Sequence, residues 1–312
     1  MERIRAGARQ GGRSGAVRGL ILVLTRRCER RCGFCPQEFI DSDMDAAVVD
    51  GAIEQLLPKL PRPRRLKLFG GEPLLRPDLV ARAIDAARRV DRDAVVELST
   101  RERGLGALTG KVRGAAGVEI FAGSPRFEAR LFPRAVLNVL LAPGEGAVET
   151  AARVLRARAA GFSRWNLLPA YLTRWRRDER DALRRRFSGV RLVLEKLARR
   201  GYFVEVVNLK RTSSVPLFND GWVVDADGAV YSSNLALTVA ARAHKRRLYL
   251  GRVGGGLETA SPDGAREVLR RSFHEDLLAD TFAVDGILGG FCRELREAGL
   301  GVADADRQAR PC

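Results

Sequence analysis

Three of the five cysteines fall within eight residues, as Cys28, Cys32 and Cys35 in the run Thr25-Arg-Arg-Cys-Glu-Arg-Arg-Cys-Gly-Phe-Cys-Pro36. Thiols at this C-x3-C-x2-C spacing converge on one metal centre only if the chain wraps around it as a loop, and Gly33 and Pro36 suit such a loop. The flanking arginines favour the thiolate form, which is the metal ligand and the nucleophile. An odd cysteine count points to a reducing compartment and to metal or catalytic thiols over structural disulfides. Structural zinc commonly takes four protein ligands, and here neither a histidine nor a fourth cysteine is near, since His244 and His274 are remote. A four-iron cluster held by three thiolates leaves one iron open to an exogenous ligand, and this matches the count. Taken alone, the triad also leaves a zinc-knuckle fragment or a redox thiol group open.

The element that must carry this loop is legible just before it. Leu20-Ile-Leu-Val-Leu-Thr25 is a continuous apolar run, as expected of a buried parallel strand. A second strand, Leu66-Lys-Leu-Phe, ends in Gly70-Gly71-Glu72-Pro73-Leu-Leu. Glycines let a backbone approach a ligand closely, and a glutamate at a strand's carboxyl end can pair with an ammonium group. Either segment alone has a plain structural reading. In order, each after a strand, they make one constellation.

Together these motifs resemble the signature of the radical S-adenosylmethionine superfamily. The resemblance covers about residues 18–208, with specific motifs in its first third. It implies that Cys28, Cys32 and Cys35 ligate a [4Fe-4S] cluster. It also implies that the turn Gly70, Gly71, Glu72 and Pro73 receives the methionine amino group of S-adenosylmethionine, and that Phe34 packs near the adenine. Ser99 and Thr100, ending a third strand, are candidates for the cofactor ribose. Asn166 and Leu168 on a sixth strand are candidates for the adenine, with plain core as the alternative for Leu168. The implied activity is reductive cleavage of S-adenosylmethionine to a 5′-deoxyadenosyl radical that abstracts hydrogen from a substrate. Peptide modification is the favoured activity, with a peptide or a small molecule as the substrate, and an external one-electron reductase is the implied partner.

The remaining pattern is a β/α alternation. Strands are expected at 94–100, 117–122, 135–141 and 162–168, and helices at 44–57 (capped by Asp41, Ser42 or Asp43), 77–90, 148–160 and 178–200. Strands separated by helices imply right-handed crossovers and a parallel sheet. The α/β fold class that follows is the partial (β/α)6 TIM-like barrel of the resembled family, with ligands at the carboxyl ends of the strands. Residues 209–312 form a small α+β extension. In it Leu217 to Asn234 alternates around Asp227-Gly228, a hairpin signal. It resembles the start of the SPASM or twitch extension, where a cysteine commonly follows the hairpin's aromatic; here Ser232, Ser233 and Asn234 stand in its place. Cys292 and Cys312 are too few for an all-cysteine auxiliary cluster, so the extension is expected to be cluster-free. Tyr249 to Gly256 is read as a strand and a flexible glycine linker, and 268–278 and 291–298 as short helices. Cys292 is read as a buried structural thiol, His274 as a solvated helix end, and residues 1–17 as a disordered basic tail.

Composition sets the outer limits. The 312 residues carry 55 Lys+Arg against 38 Asp+Glu, a net charge of +17, and only six of the basic residues are lysine. That bias is what a GC-rich genome would produce, and arginines such as Arg153, Arg156, Arg158, Arg184, Arg185 and Arg186 are expected on solvated helix faces. The charge nevertheless supports an alternative, a nucleic-acid- or peptide-binding module with a metal-stabilised cysteine loop. The apolar runs are far shorter than a membrane span, and the Arg/Gly-rich start has no apolar core of a secretory signal, so a cytoplasmic protein is expected.

Overall fold

The computed structural model describes residues 17–30, 32–101, 105–108, 110, 112, 117–123, 129, 132, 134–210, 221–261 and 263–302. Residues 1–16 of the expected tail over 1–17, the start of the hairpin run at 217–220, and Cys312 lie outside the described residues, while Val17 is half-buried against the core. The elements in chain order are β1 (Gly19–Thr25), α1 (Ala46–Leu56), β2 (Arg65–Gly70), α2 (Pro77–Val90), β3 (Val95–Thr100), β4 (Val118–Ala122) and β5 (Val136–Leu141). They continue with α3 (Ala147–Ala159), β6 (Arg164–Pro169), α4 (Arg177–Arg199), β7 (Glu205–Val206), β8 (Gly221–Val224), β9 (Ala229–Tyr231), β10 (Tyr249–Arg252), α5 (Gly264–Ser272) and α6 (Glu275–Glu297).

Among the described residues, ten strands form one sheet in the order β10-β9-β8-β1-β2-β3-β4-β5-β6-β7. Strands β1 to β7 are parallel neighbours, as crossover connections demand. The result is the expected TIM-like partial barrel. The extension joins it directly: β8 pairs parallel to β1, with Gly19 opposite Gly221 and Leu22 opposite Val224, and β9 and β10 follow antiparallel.

Period-two alternation divides the sheet's faces. Leu20, Leu22, Leu66, Leu68, Val96, Leu98, Ile120, Leu137, Val139, Trp165 and Leu167 are buried and form the core. The opposite face carries the register pairs Lys67–Glu97, Glu97–Glu119 and Asn138–Asn166. It is the concave face, because Arg164 on β6 reaches across β5 to Glu119 on β4, at 3.1 Å. Glu119 also binds Arg134, and Arg164 binds Glu205 at 2.9 Å. Burial pushes the Glu119 carboxyl up, but the Arg134 hydrogen bond and the Arg164 charge outweigh it and hold it below its ordinary value.

Four expectations need correction. Helix α1 is capped by Asp45, whose carboxylate accepts from Ala47 N at 2.9 Å, because Asp43 is drawn off by Thr25, Arg27 and Arg76. The two short C-terminal helices are α5 and one 23-residue helix, α6, that runs through Gly289 and Gly290. An interior glycine costs about 1 kcal/mol, whereas burying a large apolar side chain gains about 1.5–3 kcal/mol. Val284, Leu288, Phe291 and Leu295 are all buried, with Phe291 stacked on Phe187 of α4 at 4.6 Å. Arg186 is not on a solvated face: it is 1% exposed, donating to Thr150 Oγ1 and Ala142 O and ion-paired with Glu145. Finally, the glycine turn after β10 is no free linker, since Gln55 of α1 accepts from Gly254 N at 2.8 Å and donates to Gly255 O at 2.7 Å.

Candidate functional site

The cysteine loop leaves the carboxyl end of β1, and its described residues between Arg26 and Pro36 lie in neither helix nor strand. Its first residues are fixed by side chains. Thr25 Oγ1 donates to Asp43 at 2.6 Å, and the Arg27 guanidinium grips the same carboxylate through Nε at 2.9 Å and Nη2 at 2.7 Å. Arg76 adds a further contact at 3.1 Å. Burial pushes the Asp43 carboxyl up, and the hydrogen bonds from Thr25, Arg76 and Arg27 bring it below its ordinary value, so it stays ionised as the hub.

The glycine turn after β2 is locked against this loop. Gly71 N donates to Thr25 O and Glu72 N to Arg27 O, both at 2.9 Å. The backbones approach so closely that a Cβ on Gly70 would lie 2.2 Å from Thr25 O, and one on Gly71 would lie 1.9 Å from Arg27 O and 3.0 Å from Cys28 Cβ. Gly70 also adopts φ +143°, a conformation other residues rarely take. The glycine pair therefore seats the cysteine loop at the head of the sheet.

Glu72 follows, 7% exposed. Its Oε1 accepts from Leu74 N at 3.1 Å and from Thr100 Oγ1 at 2.6 Å, and its Oε2 accepts from Arg101 N at 2.9 Å. An ionised carboxylate has about four acceptor positions, so these three bonds leave one, on Oε2. Pro73 is buried and opens the short turn beyond. Thr100, expected at a ribose, donates its hydroxyl proton to Glu72, while its neighbour Ser99 is in register with Phe121 on the concave face. Asn166 is buried on that face, donating from Nδ2 to Asn138 Oδ1 at 2.8 Å, and its Oδ1 has no partner. Leu168 is half-buried two residues further along β6, and Phe34 is half-buried in the turn that Cys35 N closes onto Cys32 O at 2.9 Å.

Cys28, Cys32 and Cys35 are all free and partly exposed. Burial pushes the Cys35 thiol up, a backbone hydrogen bond at Gln37 pulls it down, and the nearby Cys32 and Cys28 sulfurs push it up again, so the three share one electrostatic neighbourhood. Arg101 Nη2 stands 3.5 Å from Cys32 Sγ. Among the described residues, no three His, Cys, Asp or Glu side chains are drawn in closely enough to hold a metal ion. The donor set fits an iron–sulfur cluster on its chemistry: three thiols free of disulfides on one irregular loop beside a cation. Cys292, by contrast, is 6% exposed, and burial pushes its thiol up to about 11, as expected of a structural cysteine. His274 caps α6, its Nδ1 accepting from Asp276 N at 3.3 Å, which agrees with a helix end.

Arg26 and Arg101 carry no signal in the sequence, and Asp43, which reads there as a helix cap, instead anchors the loop. Asp225 lies within the run around Asp227-Gly228 that signals a hairpin and carries no signal of its own, yet it holds Arg26 through two hydrogen bonds, at 3.2 and 3.0 Å.

No protein-family model and no curated protein matches the sequence. Solved structures do. Polyhistidine-tagged anSMEcpe with bound AdoMet superposes with a TM-score of 0.64 at 10% identity, over 92% of this chain and 96% of that one. Native anSMEcpe with AdoMet and the Cp18Cys peptide gives 0.57 at 12% identity, over 86% and 83%. Streptococcus suis SuiB bound to the precursor peptide SuiA gives 0.55 at 10% identity, over 89% and 69%. The fold is that of the radical S-adenosylmethionine enzymes. In this radical-SAM-type barrel both motifs lie at the carboxyl ends of adjacent strands, β1 and β2. Among the described residues, no helix is long and apolar enough to cross a membrane.

Proposed function

We propose that this chain is a radical S-adenosylmethionine enzyme with a cluster-free, SPASM- or twitch-like extension, divided near residue 208. The observation that carries this reading is the locking of the cysteine loop and the Gly70–Pro73 turn side by side through two backbone hydrogen bonds. Cys28, Cys32 and Cys35 hold a [4Fe-4S] cluster. When bound, cluster and cofactor supply reductive cleavage of S-adenosylmethionine to a 5′-deoxyadenosyl radical, with the electron from an external reductase.

The chain's own residues bind and orient. Glu72, pre-set by Leu74, Thr100 and Arg101, presents its remaining Oε2 acceptor position to the cofactor's ammonium group. Because its other positions are filled, that group is held in one direction. Thr100 acts through Glu72. Ser99, on the concave face, is left for the ribose hydroxyls, and Phe34, Asn166 and Leu168 for the adenine. The charged layer of Glu119, Arg134, Arg164 and Glu205 lies across β4 to β7 toward the strands' amino ends, leaving the opposite end for the reaction.

The substrate class is a peptide. Support comes from the solved structures of the same fold that hold peptides, anSMEcpe with Cp18Cys and SuiB with SuiA. A cytoplasmic location follows from the thiol chemistry. The test is anaerobic reconstitution with iron and sulfide, then dithionite and S-adenosylmethionine, with 5′-deoxyadenosine quantified. Product above a Cys28→Ala control supports the reading; equal traces from both overturn it.

A further inference from the structure

We propose that the C-terminal extension is the holder of the cysteine loop, with Arg26 and Asp225 as its positioning residues. Arg26 follows β1 directly and is 3% exposed. A buried guanidinium must have its donors satisfied and its charge paired. Here Nε donates to Glu38 O at 3.0 Å, Nη1 to both Asp225 oxygens at 3.2 and 3.0 Å, and Nη2 to Leu237 O at 3.3 Å. One side chain thus ties the two ends of the cysteine loop, at 26 and 38, to a segment about 200 residues further along the chain.

The backbone repeats the connection. Glu38 N donates to Leu237 O at 2.8 Å, Val239 N donates to Pro36 O at 3.1 Å, and Gln37 bridges Thr238. The turn that offers Leu237 O is built by the residues after the β8–β9 hairpin. Ser233, buried, caps it by accepting from Leu235 N at 3.3 Å, and Thr238 Oγ1 closes it onto Leu235 O at 2.8 Å. At the rim, Arg242 pairs with Glu38. Ser233, one of the residues standing where a cysteine commonly follows the hairpin in the resembled extensions, therefore caps the clamp on the first loop. The extension serves the site by mechanics.

The clamp deepens the functional reading only in taking this loop as the cluster's holder; the holding itself belongs to the metal-free chain. Removing the Asp225 charge leaves the buried cation only the longer contact to the Glu38 carboxylate, at 3.8 Å, as counter-charge, so the clamp must open. Hydrogen exchange of the metal-free full chain, wild type against Asp225→Asn, reads it directly. The amides of Glu38 and Val239 are expected to exchange at least about tenfold faster with those of β3 unchanged, while rates within about twofold of wild type overturn the proposal. If Asp225→Asn loosens β3 as well, Arg26→Lys decides, since it keeps the charge but loses the planar fork. Loop exchange faster with β3 unchanged supports the clamp, and unchanged loop exchange overturns it. In parallel, both variants should take up less iron than wild type during reconstitution. Should wild type itself take up none, the functional reading fails while exchange still decides the clamp.

Discussion

Replacing Gly71 by alanine should unseat the cysteine loop. A Cβ there lies 1.9 Å from Arg27 O, 2.5 Å from Arg27 C and 3.0 Å from Cys28 Cβ, whereas ordinary contact begins at 3.4 Å. The two nearest atoms are backbone and the third is a Cβ fixed to it, so no flexible side chain can give way and the loop must withdraw by about 1.5 Å. That motion stretches the bonds from Gly71 N to Thr25 O and from Glu72 N to Arg27 O, now both 2.9 Å, beyond hydrogen-bond range. Two backbone bonds at about 1 kcal/mol each, with overpacking strain of about 1–3 kcal/mol, put the loss at about 3–5 kcal/mol. Urea unfolding of the metal-free protein, followed by circular dichroism, measures it. The control is Gly33→Ala, in the same loop, where a Cβ meets nothing within 4 Å; its effect should stay within about 0.5 kcal/mol. A Gly71→Ala loss no larger than that of the control would refute the packing argument.

Two further outcomes follow from buried titratable groups. Glu119 is held below its ordinary value, so its contribution to stability is present above about pH 4.3 and is lost as pH falls below it. Glu119→Gln should therefore be less stable than wild type at neutral pH and lose less on acidification, and parallel unfolding curves from neutral to pH 3 would contradict this. Cys292, with its thiol pushed up to about 11, is about one part in a thousand thiolate at pH 8 and is buried as well. Brief iodoacetamide treatment of the native metal-free protein should label Cys28, Cys32 and Cys35 and spare Cys292, as read by peptide mass spectrometry; equal labelling of Cys292 would count against its burial.

What the sequence made legible was local. The aliphatic run of β1 and the Gly70–Pro73 turn declare themselves because strand burial and a glycine requirement act on neighbouring residues. The interior of the barrel was harder. Glu119 and Arg164 sit in strands that read as plain polar interruptions, and only closure of the sheet shows that they meet across β5. Helix α6 reads from sequence only as its two ends, within 268–278 and 291–298, because propensity is local and weakened by Gly289 and Gly290, while the packing of Phe291 on Phe187 that overrides it is tertiary. Arg186 was assigned to solvent on composition, and is buried because Glu145 and Ala142 O converge on it from the β5–α3 connection. The pairing of β8 with β1 and the Arg26–Asp225 contact join residues about 200 positions apart, a distance no periodicity spans. For the site, the three thiols and Glu72 stand out from their spacing and order alone. The residues that orient them, Asp43, Arg101 and Arg26, carry no spacing of their own and emerge only from the fold.

The central claim is that Cys28, Cys32 and Cys35 hold a four-iron cluster with one iron open to the cofactor. Electron paramagnetic resonance of the reduced, reconstituted protein with and without S-adenosylmethionine tests it most directly. About four irons per chain are expected, with a cluster signal that changes shape when the cofactor is added. A chain without iron, or a signal indifferent to the cofactor, would contradict it.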